Sequence, residues 1–320
     1  MTYPYLFSRI GIMNKKIMTA LLAVTLLIPT TAHAALKNQS GSPTLAILDT
    51  GLDGSVEYIK NKVVYEVCLL QYNSCPNGKS FMEGPGSAVI NPAFVNSNGF
   101  NHGTNVAAVA ISANPDVQIV FIRIIANRAN GTRENTSEQA ITDGLNWVYQ
   151  NKDKFNIQAV SISQTHHNLK LFKNYCPINL GAEASIKSLT ASGVPVFVAV
   201  GQVRDYERID WPACIPDSVA IGQTTPSDSI HIQSNADINL TDFYALGVHN
   251  VIGVASKSTN VSGTSFATPY AAAGYLKIKT VKPNLSYPEI YNLISKTSIP
   301  TSNAKVPSGK LINIQGALNG

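Results

Sequence analysis

A serine hydroxyl becomes a nucleophile only when a neighbouring base takes its proton. A carboxylate must hold that base in one tautomer, and donors must await the charge on the attacked carbonyl oxygen. Gly263-Thr264-Ser265-Phe266-Ala267-Thr268-Pro269 offers such a serine. Glycine and small residues let a substrate backbone approach. Ser265 opens a small-residue run with helical character, so a positive helix end and free N–H groups would face developing negative charge. A serine at a helix start is also an ordinary N-cap, and the motif alone does not separate the two.

Order along the chain narrows the partners. Beyond Ser265 there is no Asp and no His. That excludes the Ser–acid–His order of hydrolases with a G-x-S-x-G elbow, and places any acid and base for Ser265 upstream. Ala46-Ile47-Leu48-Asp49-Thr50-Gly51 sets a carboxylate at the end of an apolar run. Asn101-His102-Gly103-Thr104-Asn105-Val106-Ala107 sets an imidazole at the mouth of a small-residue helix. Asp-Thr-Gly also marks aspartic proteases, but those need two copies or a dimer of short chains, and this long chain carries one copy. His231 and His249 sit in no comparable context. His166 and His167, as neighbours on a strand, would point to opposite faces and make no metal pair.

These groups need a scaffold, and the pattern supplies one. Apolar, β-branched runs at 44–49, 117–125, 157–163, 194–200 and 218–221 read as strands. Runs at 102–112, 137–150, 182–191, 265–280 and 287–295 read as helices, with Ile141, Leu145 and Val148 sharing one face of the second. Apolar strands alternating with helices predict an α/β fold, a mainly parallel sheet covered on both faces. Active sites in such sheets lie at the carboxyl ends of strands, where Asp49 and Gly201-Gln202 both fall. Stretches 73–103 and 225–240 read as loops, and no second domain is evident.

Together the three motifs resemble the subtilisin-like serine protease family: D-T-G, H-G-T and G-T-S-x-A-T-P, in that order, across about residues 44–295. Trp211-Pro212-Ala213-Cys214-Ile215-Pro216 and Ala245-Leu246-Gly247-Val248 are similar to further family stretches. The resemblance implies a three-layer α/β/α sandwich with a doubly wound, mainly parallel sheet, and hydrolysis of internal peptide bonds. It implies Ser265 as nucleophile, His102 as base, Asp49 as its orienting carboxylate, and the Ser265 N–H as one oxyanion donor. The second oxyanion donor of the family is an Asn; here the matching stretch is Ala199-Val200-Gly201-Gln202, so Gln202 is the expected donor. The family's substrate-lining S-L-G-G is here Ser163-Gln164-Thr165-His166. Ser163, Gln164, Thr165, Ala199, Val200 and Gly201 are therefore the expected substrate-binding residues, with side chains where glycines usually stand. Relatives often bind calcium, but no D-x-[DN]-x-[DN]-G loop is present, so calcium stays unassigned and no metal ligand is named.

Composition agrees with a packed, exported enzyme. The 320 residues are 44% hydrophobic and 13% charged, which argues against disorder. Lys15 and Lys16, an apolar run at 17–28 and Ala32-His33-Ala34 form a signal-peptide pattern, too short for a permanent membrane anchor. Met13 is an alternative start to Met1. Residues 35–320 are then expected to form a single peptidase domain, with only 35–43 between the signal and the first strand and so no evident propeptide. Removing 1–34 takes away Arg9, Lys15 and Lys16 and no acid, lowering the formal charge from +5 to +2, so no nucleic-acid partner is inferred. Four cysteines in an exported chain favour two disulfides, expected as Cys68–Cys75 and Cys176–Cys214. No C-x2-C pair suggests zinc. The expectation is a monomeric secreted or periplasmic protease acting on proteins or peptides.

Overall fold

The apolar run that ends at Asp49 forms strand β1 (Thr44–Asp49), and every one of its residues is buried. Its side chains alternate between two cores. Leu45 and Ile47 join one cluster, and Ala46 and Leu48 the other, so the strand is covered on both faces. The computed structural model describes residues 42–71, 73–95, 101–127, 132–165, 176 and 181–320. The signal-peptide segment 1–34 and the His166-His167 pair lie outside the described residues. All described residues fall in one compact unit, Leu36–Gly320.

After β1 come α1 (Glu57–Lys60), β2 (Val63–Leu69), β3 (Phe81–Glu83), α2 (His102–Ala113), β4 (Gln118–Arg123), α3 (Glu138–Asn151) and β5 (Ile157–Ile162). Then follow α4 (Ala182–Ala191), β6 (Val196–Ala199), β7 (Val219–Thr224), β8 (Phe243–Leu246), β9 (Val248–Ile252) and β10 (Ser258–Ser262). The chain closes with α5 (Thr264–Val281), α6 (Tyr287–Thr297), β11 (Ile299–Thr301), β12 (Gly309–Leu311) and α7 (Ile314–Asn319). A 10-stranded sheet has the order β11-β12-β8-β7-β6-β5-β1-β4-β2-β3. Its strands run parallel from β12 to β2, with an antiparallel strand at each edge. Helices α2, α5 and α6 cover one face, and α3 and α4 the other, making three α/β/α layers.

Strand order reverses between β1 and β5, which are neighbours although the three intervening strands, β2, β3 and β4, all lie on the other side of β1. A reversal of this kind opens a crevice at the carboxyl ends of the two strands. Leu48 is in register with Ile162, so Asp49 and the residues just beyond Ile162 meet there. Helices α2, α3 and α5 begin at the same end, through the His102–Asp49, Thr136–Gln164 and Ser265–Ser163 contacts. Helix α2 is small-residue and buried from Gly103 to Ile111, as a helix wedged between a sheet and another helix must be. Helix α3 starts at the N-cap Ser137, whose hydroxyl accepts the Ala140 N–H at 3.0 Å.

The packed core runs further than the expected end near residue 295. Strand β12 pairs with β8, and Leu311, Ile312 and Ala317 are buried. Strands β2 and β3, the β9–β10 hairpin and the elements after α6 were not legible as elements, because each is short or half-exposed. Both expected disulfides are formed, with Cα–Cα distances of 5.9 Å for Cys68–Cys75 and 5.2 Å for Cys176–Cys214. The first ties β2 to the following loop. The second closes a separation of 38 residues.

Candidate active site

The Asp-Thr-Gly turn after β1 and the His-Gly-Thr start of α2 lock together residue by residue. His102 Nδ1 lies 2.7 Å from Asp49 Oδ1. The Gly103 N–H donates to Thr50 Oγ1 at 2.9 Å, and the Asp53 N–H donates to Thr104 Oγ1 at 2.9 Å. Gly103 is required by closeness: a Cβ there would stand 2.6 Å from the Gly51 carbonyl oxygen and 2.8 Å from the Phe121 ring. The helix end can therefore lie directly on the turn, which puts the imidazole on the carboxylate.

Asp49 is wholly buried. Burial alone would push its carboxyl up. The charge of His102, with hydrogen bonds from His102, Gln164 and the Thr50 N–H, outweighs that and holds it below the ordinary carboxylate value. The Thr50 N–H donates to Oδ1 at 2.7 Å, and Gln164 Nε2 donates to Oδ2 at 3.0 Å. With Nδ1 committed to Asp49, the free ring nitrogen of His102 is Nε2. Phe266 of α5 also lies beside the ring, with centroids 5.5 Å apart.

Ser265 is the second residue of α5 and is half-buried. Proline sits inside this helix at position 269. Lacking an N–H, it leaves the carbonyl four residues earlier without its helical donor, and that carbonyl belongs to Ser265. The Ser163 hydroxyl fills the vacancy, donating to the Ser265 carbonyl at 2.7 Å. The Ser265 hydroxyl donates in return to the Ser163 carbonyl at 3.1 Å. The nucleophile's proton is thus held by the carbonyl just beyond β5, and the Phe266 ring stands beside His102.

Gln202 reaches the same helix end. Its side chain is exposed, and its Oε1 accepts the Thr264 N–H at 3.3 Å. Gly263 makes room, since a Cβ there would come within 2.5 Å of that oxygen, and its φ of 155° with ψ of 163° suits glycine alone. The amide nitrogen Nε2 is left to donate elsewhere.

The expected substrate residues divide. Thr165 is half-buried at the crevice, and Ser163 is committed to Ser265. Ala199, Val200 and Gly201 are buried, so a peptide could meet them only through their backbone. Gln164 differs from the expectation: it is 2% exposed and turned onto Asp49, because a buried carboxylate draws in the nearest amide donor. The contributions of Thr50, Thr104 and Ser163 were missed. Pro269, four residues beyond Ser265, is the one sequence signal that pointed to a side-chain donor for the Ser265 carbonyl.

Residues 40–317 match the subtilase family. The chain belongs to that family. It is 25% identical over 288 residues to the "Major intracellular serine protease" of Bacillus subtilis, covering 83% of this chain and 78% of the relative. It is 23% identical over 245 residues to subtilisin DY of Bacillus licheniformis, covering 72% and 82%. Its fold is similar to that of a solved protease from Pseudoalteromonas arctica, with TM-score 0.66 and 17% identity over 87% of this chain and 89% of the other. This subtilase is a serine-type endopeptidase of the subtilisin-like kind, so its substrates are proteins or peptides, and subtilases need no cofactor for the chemistry. Among the described residues no group of three or more His, Cys, Asp or Glu is placed to hold a metal ion. No described helix is long and apolar enough to cross a membrane.

Proposed function

We propose that this subtilase cleaves internal peptide bonds through Asp49, His102 and Ser265, and that it is exported. The observation that carries the reading is the 2.7 Å contact of His102 Nδ1 with the buried Asp49 carboxylate, at the strand ends where α5 presents Ser265. On substrate binding the Ser265 hydroxyl leaves the Ser163 carbonyl for His102 Nε2. Its oxygen attacks the scissile carbonyl as Nε2 takes the proton. Collapse of the tetrahedral intermediate breaks the C–N bond, and His102 returns the proton to the leaving amine. Water then hydrolyses the acyl-enzyme by the same route. The Ser265 N–H and Gln202 Nε2 are the donors to the oxyanion. The extended backbone at Ser163–Gln164–Thr165 is the edge along which a peptide lies, opposite Ala199–Val200–Gly201.

A serine-directed fluorophosphonate tests the triad. Labelling of the purified chain that disappears in both Ser265→Ala and His102→Ala is expected, with casein digestion lost in parallel. Equal labelling of Ser265→Ala would refute the assignment. Export is supported by the two disulfides and the residue 1–34 pattern. The intact mass of the protein recovered outside the cytoplasm is expected to begin at Ala35; recovery only inside the cytoplasm with residues 1–34 attached refutes it.

A further inference from the structure

The position that the family resemblance assigns to the substrate edge holds a glutamine that faces away from the cleft. Gln164 Nε2 is 3.0 Å from Asp49 Oδ2 and 3.1 Å from His102 Nδ1. Its own Oε1 accepts the Thr136 hydroxyl at 3.4 Å, and the ionised Asp49 carboxylate, which can only accept, fixes which end of the amide faces it. Thr136 and Gln164 are both buried, so neither group is exchanging with water. The other two donors to Asp49, His102 and the Thr50 N–H, both reach Oδ1. Gln164 is the donor that reaches Oδ2.

We propose that Gln164 is a positioning residue for the Asp49–His102 pair. The proposal rests on the triad reading above and adds a fourth side chain to it. Two physical effects follow from its geometry. An ionised oxygen with no exposure is stable only when hydrogen-bonded, so the Gln164 amide keeps the Asp49 carboxylate from rotating toward other donors. The same amide lies 3.1 Å from His102 Nδ1, so the two donors share one carboxylate, one on each oxygen, and the ring is held with Nε2 turned away from Asp49. The charges around the pair are few. His102 is the charged group acting on Asp49, while Thr50, Ser163 and Gln164 from the strand ends and Ser265 and Phe266 from α5 are neutral. Because Ser163 binds Ser265 and Gln164 binds Asp49, adjacent residues at the end of β5 hold both ends of the proton path.

Gln164→Met keeps the length and removes the donor. On a fluorogenic protein substrate we expect kcat to fall about 10-fold with KM within about 2-fold of the parent. The acid limb of the kcat/KM profile should move up by about half a pH unit, because an Asp49 carboxylate stripped of the Gln164 hydrogen bond holds a proton on the imidazole more strongly. Gln164→Glu is the second variant, needed if the methionine chain does not fold. Its protonated carboxyl keeps a donor on Asp49 and its ionised form adds a negative charge, so it should fold and move the acid limb up by at least as much. An unchanged acid limb with a raised KM in either folded variant would overturn the proposal and return Gln164 to the substrate edge. Failure of the triad reading is seen separately, as Ser265-independent labelling of the unmodified chain.

Discussion

The contact between α2 and the turn after β1 makes Gly103→Ala a sharp test. Two effects of opposite sign meet there. In a helix, alanine is worth about 0.5–1 kcal/mol over glycine, so propensity alone predicts a more stable protein. The added Cβ, however, would lie 2.6 Å from the Gly51 oxygen, 2.9 Å from the Gly51 nitrogen and 2.8 Å from Phe121 Cζ. Two of these are backbone atoms of the turn that carries Asp49, so no rotamer change relieves them. An unstrained contact needs about 3.5 Å, so α2 must draw back by somewhat under about 1 Å. Overpacking of this kind costs about 1–3 kcal/mol. Net of propensity, the change runs from near zero to a loss of about 2.5 kcal/mol, or up to roughly 4 °C in the unfolding midpoint of a chain this size. Function should suffer more. The same displacement would stretch the 2.7 Å His102–Asp49 contact beyond hydrogen-bonding range, and a misplacement of about 1 Å in a catalytic group costs about 10²-fold in rate. The midpoint is best measured by calorimetry in the Ser265→Ala background, which removes self-digestion, and kcat/KM by casein digestion in the parent background. A Gly103→Ala protein that is more stable than its parent and equally active would refute the steric argument.

Two further outcomes follow. Gln202→Ala should lower kcat about 10²-fold or more with KM little changed, because the oxyanion exists only in the transition state; an unaltered kcat would remove Gln202 from the mechanism. For Asp49 the sign of the pH effect is set by its lowered carboxyl. A carboxyl depressed on folding stabilises fully above its ordinary value of 3.8, and that contribution disappears as pH falls through the lower folded value. In the Ser265→Ala background the midpoint should therefore drop below about pH 4, and Asp49→Asn should flatten that drop. An equally steep drop in Asp49→Asn would show that other carboxylates govern acid unfolding.

Local pattern carried much of this protein. The apolar runs at β1, β4, β5 and β6 were legible because a strand buried on both faces is apolar at every position. Helices α2 to α6 were legible from spacing and small-residue content, and Ser265 with Asp49 and His102 from motif and chain order. Both cysteine pairs followed from parity and local loop size. The short edge strands and the β9–β10 hairpin were not legible, since half-exposed strands of three to seven residues leave little periodic signal.

What the sequence determined alone was therefore the set of reactive groups and the layers that carry them, because burial and helix initiation write themselves into residue type. Tertiary structure decided where the side chains between those motifs point. Gln164 reads as a substrate-edge residue until β5 lies beside β1, when Ile162 comes into register with Leu48 and the amide meets a buried carboxylate. Ser163 becomes the partner of Ser265 because Pro269 frees a carbonyl and the fold brings a hydroxyl within 2.7 Å of it. Both depend on the distance between segments about 100 residues apart in the chain, as in the pairing of Ser163 with Ser265, and long-range distance is set by packing rather than by local spacing.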